Sequence, residues 1–128
     1  MAETATVARV KRELGFLRDR VLAVLLFGSQ ANQQEHPRSD ADLCIVDPDI
    51  PTVLNEVFRR VDVAGKDYDV YLFEELPLYM QVEVIRNHVV VFSRNIYSLY
   101  EYFYPYLKRW KDQEHRNTVT REDVLRGL

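Results

Sequence analysis

Cysteine is almost missing from this chain, and its scarcity closes two routes at once. Cys44 is the single cysteine among 128 residues, so neither an internal disulfide nor a cysteine-built zinc site can form. It lies in the apolar run Leu43-Cys44-Ile45-Val46, where cysteine behaves as a small buried hydrophobe. A basic excess is also lacking. Lys and Arg number 17 against 20 Asp and Glu, a net charge of −3, whereas a surface that tracks nucleic acid through its phosphates needs surplus cations. Long apolar runs are absent too: the longest, Val21 to Phe27, is far too short to span a bilayer. The N-terminal MAETATVARVKREL carries charge throughout and has no signal-peptide core. A reducing, cytoplasmic setting is therefore expected, with no membrane partner and with nucleic acid disfavoured. One domain over residues 1–128 is expected, long enough for a real core and too short for a second recognition domain of ordinary size.

What is present reads as alternating helices and strands. Val7, Val10, Leu14 and Leu17 recur at helical spacing, predicting a helix over about 4–19. Val21–Phe27 predicts a buried strand stopped by Gly28, and 41–46 a second strand ended by Asp47-Pro48-Asp49. A short helix over 52–60, a third strand over Tyr68–Phe73, a helix over Leu76–Arg86 with Pro77 in its first turn, and a fourth strand over Val89–Phe92 follow. An aromatic helix from about Ile96 to Gln113 is interrupted by Pro105, and Thr120-Arg121-Glu122-Asp123 resembles a capping box that would start a last helical turn. The expected class is α/β, with a small mixed β-sheet and helices mainly on one face.

Three segments carry the candidate chemistry. Phe27-Gly28-Ser29 puts a glycine and a hydroxyl directly after a buried strand, where free amides can receive anionic oxygens. Ser39-Asp40-Ala41-Asp42-Leu43 leads into the second strand. Residues two apart in a strand share a face, so Asp40 and Asp42 point together while Ala41, Leu43 and Ile45 point into apolar packing. Two carboxylates held that close repel unless a cation sits between them, and an oxygen-only donor set favours a hard ion such as Mg²⁺. Asp67-Tyr68-Asp69-Val70 brings a further carboxylate to the third strand, which would complete a site for two such ions.

Gly28-Ser29, an eleven-residue step to Asp40, and the Ser39-Asp40-Ala41-Asp42-Leu43 segment together resemble the signature of the DNA polymerase beta-like nucleotidyltransferase superfamily. The closer resemblance is to its smallest branch, the minimal nucleotidyltransferases of archaea and bacteria. Leu76-Pro77-Leu78, Val84-Ile85-Arg86 and Val89–Phe92 are similar to that branch as well, so the likeness covers about residues 20–95. It implies that Gly28 and Ser29 bind the nucleotide, that Asp40 and Asp42 bind both metals, and that Asp69 is the third catalytic carboxylate. Asp69 is preferred to Asp67 because Val70, Tyr71 and Leu72 follow it as strand residues, although 67 and 69 would share one face. The implied activity is transfer of AMP from ATP, with two Mg²⁺, to a tyrosine hydroxyl of a HEPN-domain toxin, in the role of antitoxin. The alternatives are an antitoxin that binds without catalysis and a small-molecule nucleotidyltransferase of the antibiotic-modifying kind. The chain departs from the branch in two places: Asn32-Gln33-Gln34 stands where a basic residue and a glycine usually follow, and Asn87-His88 where Glu-Gly is common.

The remaining features read more plainly. His36, His88 and His115 lack metal-ligand spacing and are expected on the surface. Tyr97, Tyr100, Tyr102, Phe103, Tyr104, Tyr106 and Trp110 crowd the helix over about 96–116, so one face should pack on the sheet and another remains for a protein contact, with a partner or a second copy of the chain.

Overall fold

Five consecutive apolar residues, Ala23–Phe27, form strand β1, and all five are buried. A strand apolar on both parities needs cover on both of its faces, and that requirement organises the fold. The computed structural model describes residues 4–28, 41–49, 52–61 and 68–125, with side chains through residue 115. Its four-stranded sheet runs β3-β2-β1-β4, with β2 at Ala41–Val46, β3 at Tyr68–Leu72 and β4 at His88–Ser93. β1 lies antiparallel to both β2 and β4, whereas β2 and β3 are parallel. A parallel pair cannot be joined by a tight turn, and helix α2 (Val53–Arg60) lies in the connection between them.

The expectation of helices mainly on one face is corrected. Val24 and Leu26 of β1 with Leu43 and Ile45 of β2 pack against Val7 and Val10 of α1 (Ala5–Glu13) and Val53 and Val57 of α2. Ala23, Leu25 and Phe27 with Cys44 and Val46 pack instead against Val84 of α3 (Leu78–Arg86) and Leu99 and Phe103 of α4 (Ile96–Leu125). Two helices cover each side. The physical reason is visible in β1 itself, whose odd and even positions are equally apolar. Leu25 and Leu43 at 0% exposure and Leu26 at 1% each contribute about 1.5–3 kcal/mol of burial free energy.

Element ends differ from expectation where a local breaker or propagation wins. Thr4 caps α1 by accepting from the Val7 amide at 3.1 Å. The helix closes at Leu14, and Gly15–Leu17 continue as a short 3₁₀ turn, so the apolar spacing predicted the buried face and overran the end. Asn95 caps α4 through Oδ1, which accepts from the amides of Tyr97 and Ser98 at 2.9 and 3.2 Å. α4 then runs through Pro105 and on through Thr120 to Leu125, so no separate last helix begins at Thr120. Extending a formed helix is far easier than nucleating another. Pro105 and Glu101, whose carbonyl loses its helical donor, are both exposed, leaving that carbonyl open to water.

α4 resolves its aromatic crowding by splitting it between two faces. Phe73 packs edge-on to Tyr106 at 4.9 Å and against Phe103 at 5.3 Å. Tyr97, Tyr100 and Tyr104 turn outward. Glu74 ties this helix to the end of β2: its Oε2 accepts from Tyr102 Oη at 2.6 Å and from the Asp47 amide at 2.8 Å. Burial first, and the Glu74 hydrogen bond second, push the Tyr102 phenol well above the ordinary tyrosine range. Among the described residues no helix is long and apolar enough to cross a membrane.

Candidate nucleotide and metal site

The register of the sheet builds a row of side chains at one end. Asp69 of β3 pairs with Asp42 of β2, Asp42 with Phe27 of β1, and Phe27 with His88 of β4. Paired residues on neighbouring strands project to the same face, so all four belong to the α3/α4 side. Adjacent strands lie about 4.8 Å apart, which sets the scale between the two carboxylate-bearing positions. Asp42 is half-buried and Asp69 exposed. Two carboxylates in direct register repel, and the arrangement fits a hard cation bound through oxygen.

Gly28 joins this pair from the end of β1. Its φ of 78° lies in the left-handed region, and a Cβ at that position would collide with Asp42 Oδ2 and sit 3.3 Å from Asp42 Cγ. The carboxylate of Asp42 therefore lies against the Gly28 backbone in the space a side chain would fill. The two ends of the sequence pattern, the glycine after the first strand and the acidic head of the second, are one structural unit.

Ser29, Asp40 and Asp67 lie outside the described residues, as does His36. Among the described residues no group of three His, Cys, Asp or Glu gathers for a metal. Asp42 and Asp69 are the pair the structure brings together.

Two residues, His88 and Tyr68, behave in ways that sequence reasoning missed, whereas Cys44 lies in the core as expected. His88, expected on the surface, is half-buried: its Nδ1 lies 2.8 Å from the Val84 carbonyl and 3.0 Å from that of Ile85, and its ring meets Phe103 edge-on. Because both partners are carbonyls, Nδ1 carries a proton. Cys44 is fully buried, and its thiol is pushed far up, first by burial and then by the Glu74 charge, so it is an inert core residue. Tyr68, next to Asp69, points to the opposite face. Its hydroxyl accepts from Arg9 Nε at 3.0 Å and donates to Glu13 Oε2 at 2.7 Å. No local signal marks this contact, since the partners lie 59 and 55 residues away in sequence.

Burial first, and the Glu13 hydrogen bond next, push the Tyr68 phenol up to about 12, with Arg9 pulling the other way. An unfolded tyrosine titrates near 10, so the stability held in this group is complete below about pH 10 and is lost as pH climbs toward 12. Tyr68→Phe is accordingly expected to flatten part of the alkaline decline in Tm, measured by thermal unfolding between those two pH values. An unchanged decline would contradict the assignment.

The mixed sheet sets Asp42 and Asp69 beside the Gly28 turn, and comparisons with known proteins identify the family. The family described as "Polymerase beta, Nucleotidyltransferase" matches residues 15–97. "Putative protein adenylyltransferase MJ1547" of Methanocaldococcus jannaschii is 40% identical over 113 residues, spanning 84% of this chain and 88% of that protein. The chain belongs to the polymerase beta nucleotidyltransferase family. Solved structures agree on the fold. A chain of a toxin–antitoxin complex with AMP-PNP superposes with a TM-score of 0.71 at 13% identity, over 93% of this chain and 98% of that one. A chain of the complex of tri-AMPylated Shewanella oneidensis HEPN toxin with MNT antitoxin gives 0.65 at 11% identity, over 93% and 95%.

Proposed function

We propose that this chain is a Mg²⁺-dependent protein adenylyltransferase that transfers AMP from ATP to a tyrosine hydroxyl of a partner HEPN toxin, acting in the cytoplasm as its antitoxin. The observation that carries the reading is the direct register of Asp42 with Asp69 beside Gly28. The relative named as a protein adenylyltransferase supports the choice of reaction, and the solved complexes with HEPN toxin support the choice of partner.

In this reading Gly28 and Ser29 hold the triphosphate through backbone amides and the serine hydroxyl. Asp40, Asp42 and Asp69 hold two Mg²⁺, which when bound neutralise the phosphates and make the acceptor hydroxyl easier to ionise. Asp69, on the exposed edge strand, faces the incoming acceptor. The tyrosine oxygen forms its bond to the α-phosphorus as the bond to the β-phosphate oxygen breaks, releasing pyrophosphate. The phenolic proton leaves to a carboxylate or to water. Catalysis rests on positioning and on charge placed before the reaction begins.

The test is to incubate the protein with α-labelled ATP, Mg²⁺ and the product of the adjacent reading frame, a small helical HEPN protein in this reading, then locate the label by mass spectrometry. AMP on a toxin tyrosine, with pyrophosphate released in equal amount, is the expected result. Neutralisation of the toxin without any label would replace the reading with that of a binding antitoxin.

A further inference from the structure

We infer that Tyr68 is a positioning residue: it clamps strand β3 to helix α1 and so fixes the register that sets Asp69 beside Asp42. The inference rests on the functional reading of Asp69 given above.

Among the described residues β3 is an edge strand, paired on one side only, with β2. Parallel pairing is slightly weaker per residue than antiparallel pairing. Of its five residues only Tyr68 is buried, at 3% exposure, while Asp69 is exposed and Val70, Tyr71 and Leu72 are half-buried. A slip of one residue would turn every β3 side chain to the opposite face. Asp69 would then leave the Asp42 side, and Tyr68 would enter it. Tyr68 opposes that slip with more than its ring. Its hydroxyl spends its proton on Glu13 and accepts from Arg9, both on α1, and the Arg9 guanidinium lies 5.2 Å from the ring centroid. α1 is itself seated on the sheet through Val7 and Val10, at 5% and 0% exposure. Tyr68 is thus held by a fixed element on the far face, and its neighbour in the chain is the carboxylate that must face the other way.

Two readouts test this, and one of them does not involve catalysis. In metal-free protein, Tyr68→Phe is expected to speed amide hydrogen exchange across residues 68–72 by about tenfold, with β1 and β4 unchanged. In the transfer assay the same variant is expected to raise the Mg²⁺ concentration for half-maximal activity by roughly tenfold, as loss of a supporting contact does at metal sites. KM for ATP should stay within about twofold, because Gly28 and Asp42 are untouched. Glu13→Gln and Arg9→Met, half-buried on α1, should reproduce both effects in weaker form and keep the test open if the phenylalanine variant folds poorly. Unchanged exchange over 68–72 would overturn the clamp. Faster exchange with an unchanged Mg²⁺ requirement would overturn the positioning role and leave a purely structural one. Asp69→Asn serves as the control: wild-type transfer in that variant would remove the functional reading of Asp69 and the positioning role with it, while the exchange result alone judges the clamp.

Discussion

Replacing Asp42 with asparagine is expected to lower nucleotide transfer by about 10³-fold or more, equivalent to about 4 kcal/mol of lost transition-state stabilisation. The change is nearly isosteric, so the cause would be charge. Asp42 stands in register with Asp69 and against the backbone of Gly28, which makes it the residue shared by the proposed metal and phosphate halves of the site. The free protein should tolerate the substitution well. Like charges directly opposite in a sheet are destabilising, and asparagine removes one member of such a pair. A thermal unfolding series separates the two effects: the variant should keep a Tm close to that of the parent without ligand, yet lack the rise in Tm that Mg²⁺ and ATP are expected to give the parent. Transfer within tenfold of the parent would show that Asp42 does not carry the reaction.

That contrast between charge and fold also explains what could be read without the structure. β2 was predictable residue by residue because its signal is local: Asp-Pro closes it, and Ala41, Leu43 and Ile45 alternate with Asp42 at its head. Gly28 and Asp42 were legible as members of one candidate site, but their direct contact was not, because it depends on the antiparallel pairing of β1 with β2. Nor was the distribution of helices. Periodicity gives each helix an apolar face but says nothing of which side of the sheet it joins, and only the double-sided burial of β1 hinted that both sides need cover. Gly15 and Thr120 show the limit at element ends, where a breaker cut one helix short and propagation overrode a cap in the other. Least legible were the contacts that position the candidate site from behind. Tyr68 meets Arg9 and Glu13 across more than fifty residues, and His88 meets α3 through two backbone carbonyls that no residue type announces.

Gly28→Ala is expected to be the most damaging single methyl group that can be added to the described part of the site. At φ 78° an alanine carries the left-handed penalty, about 1–2 kcal/mol. Overpacking adds about 1–3 kcal/mol, because the new Cβ would occupy the place of the Asp42 carboxylate. Relief is available only by turning the backbone out of the left-handed region or by swinging Asp42 away, and either movement separates the glycine turn from the acid. The expected result is a Tm lower by roughly 10 °C, with transfer reduced by about a further 10²-fold when measured at a temperature where the variant is fully folded. Gly15→Ala supplies the matched control: a Cβ there meets nothing within 4 Å and the position has no positive φ, so Tm should change by less than about 2 °C. If both alanines prove equally mild, the close approach of Gly28 to Asp42 is not what holds the site. If Gly28→Ala loses transfer while Asp42→Asn retains it, the glycine turn acts on the nucleotide without the acid. The joint loss is expected because both variants disturb the same contact, one by filling the space and the other by removing the charge that fills it.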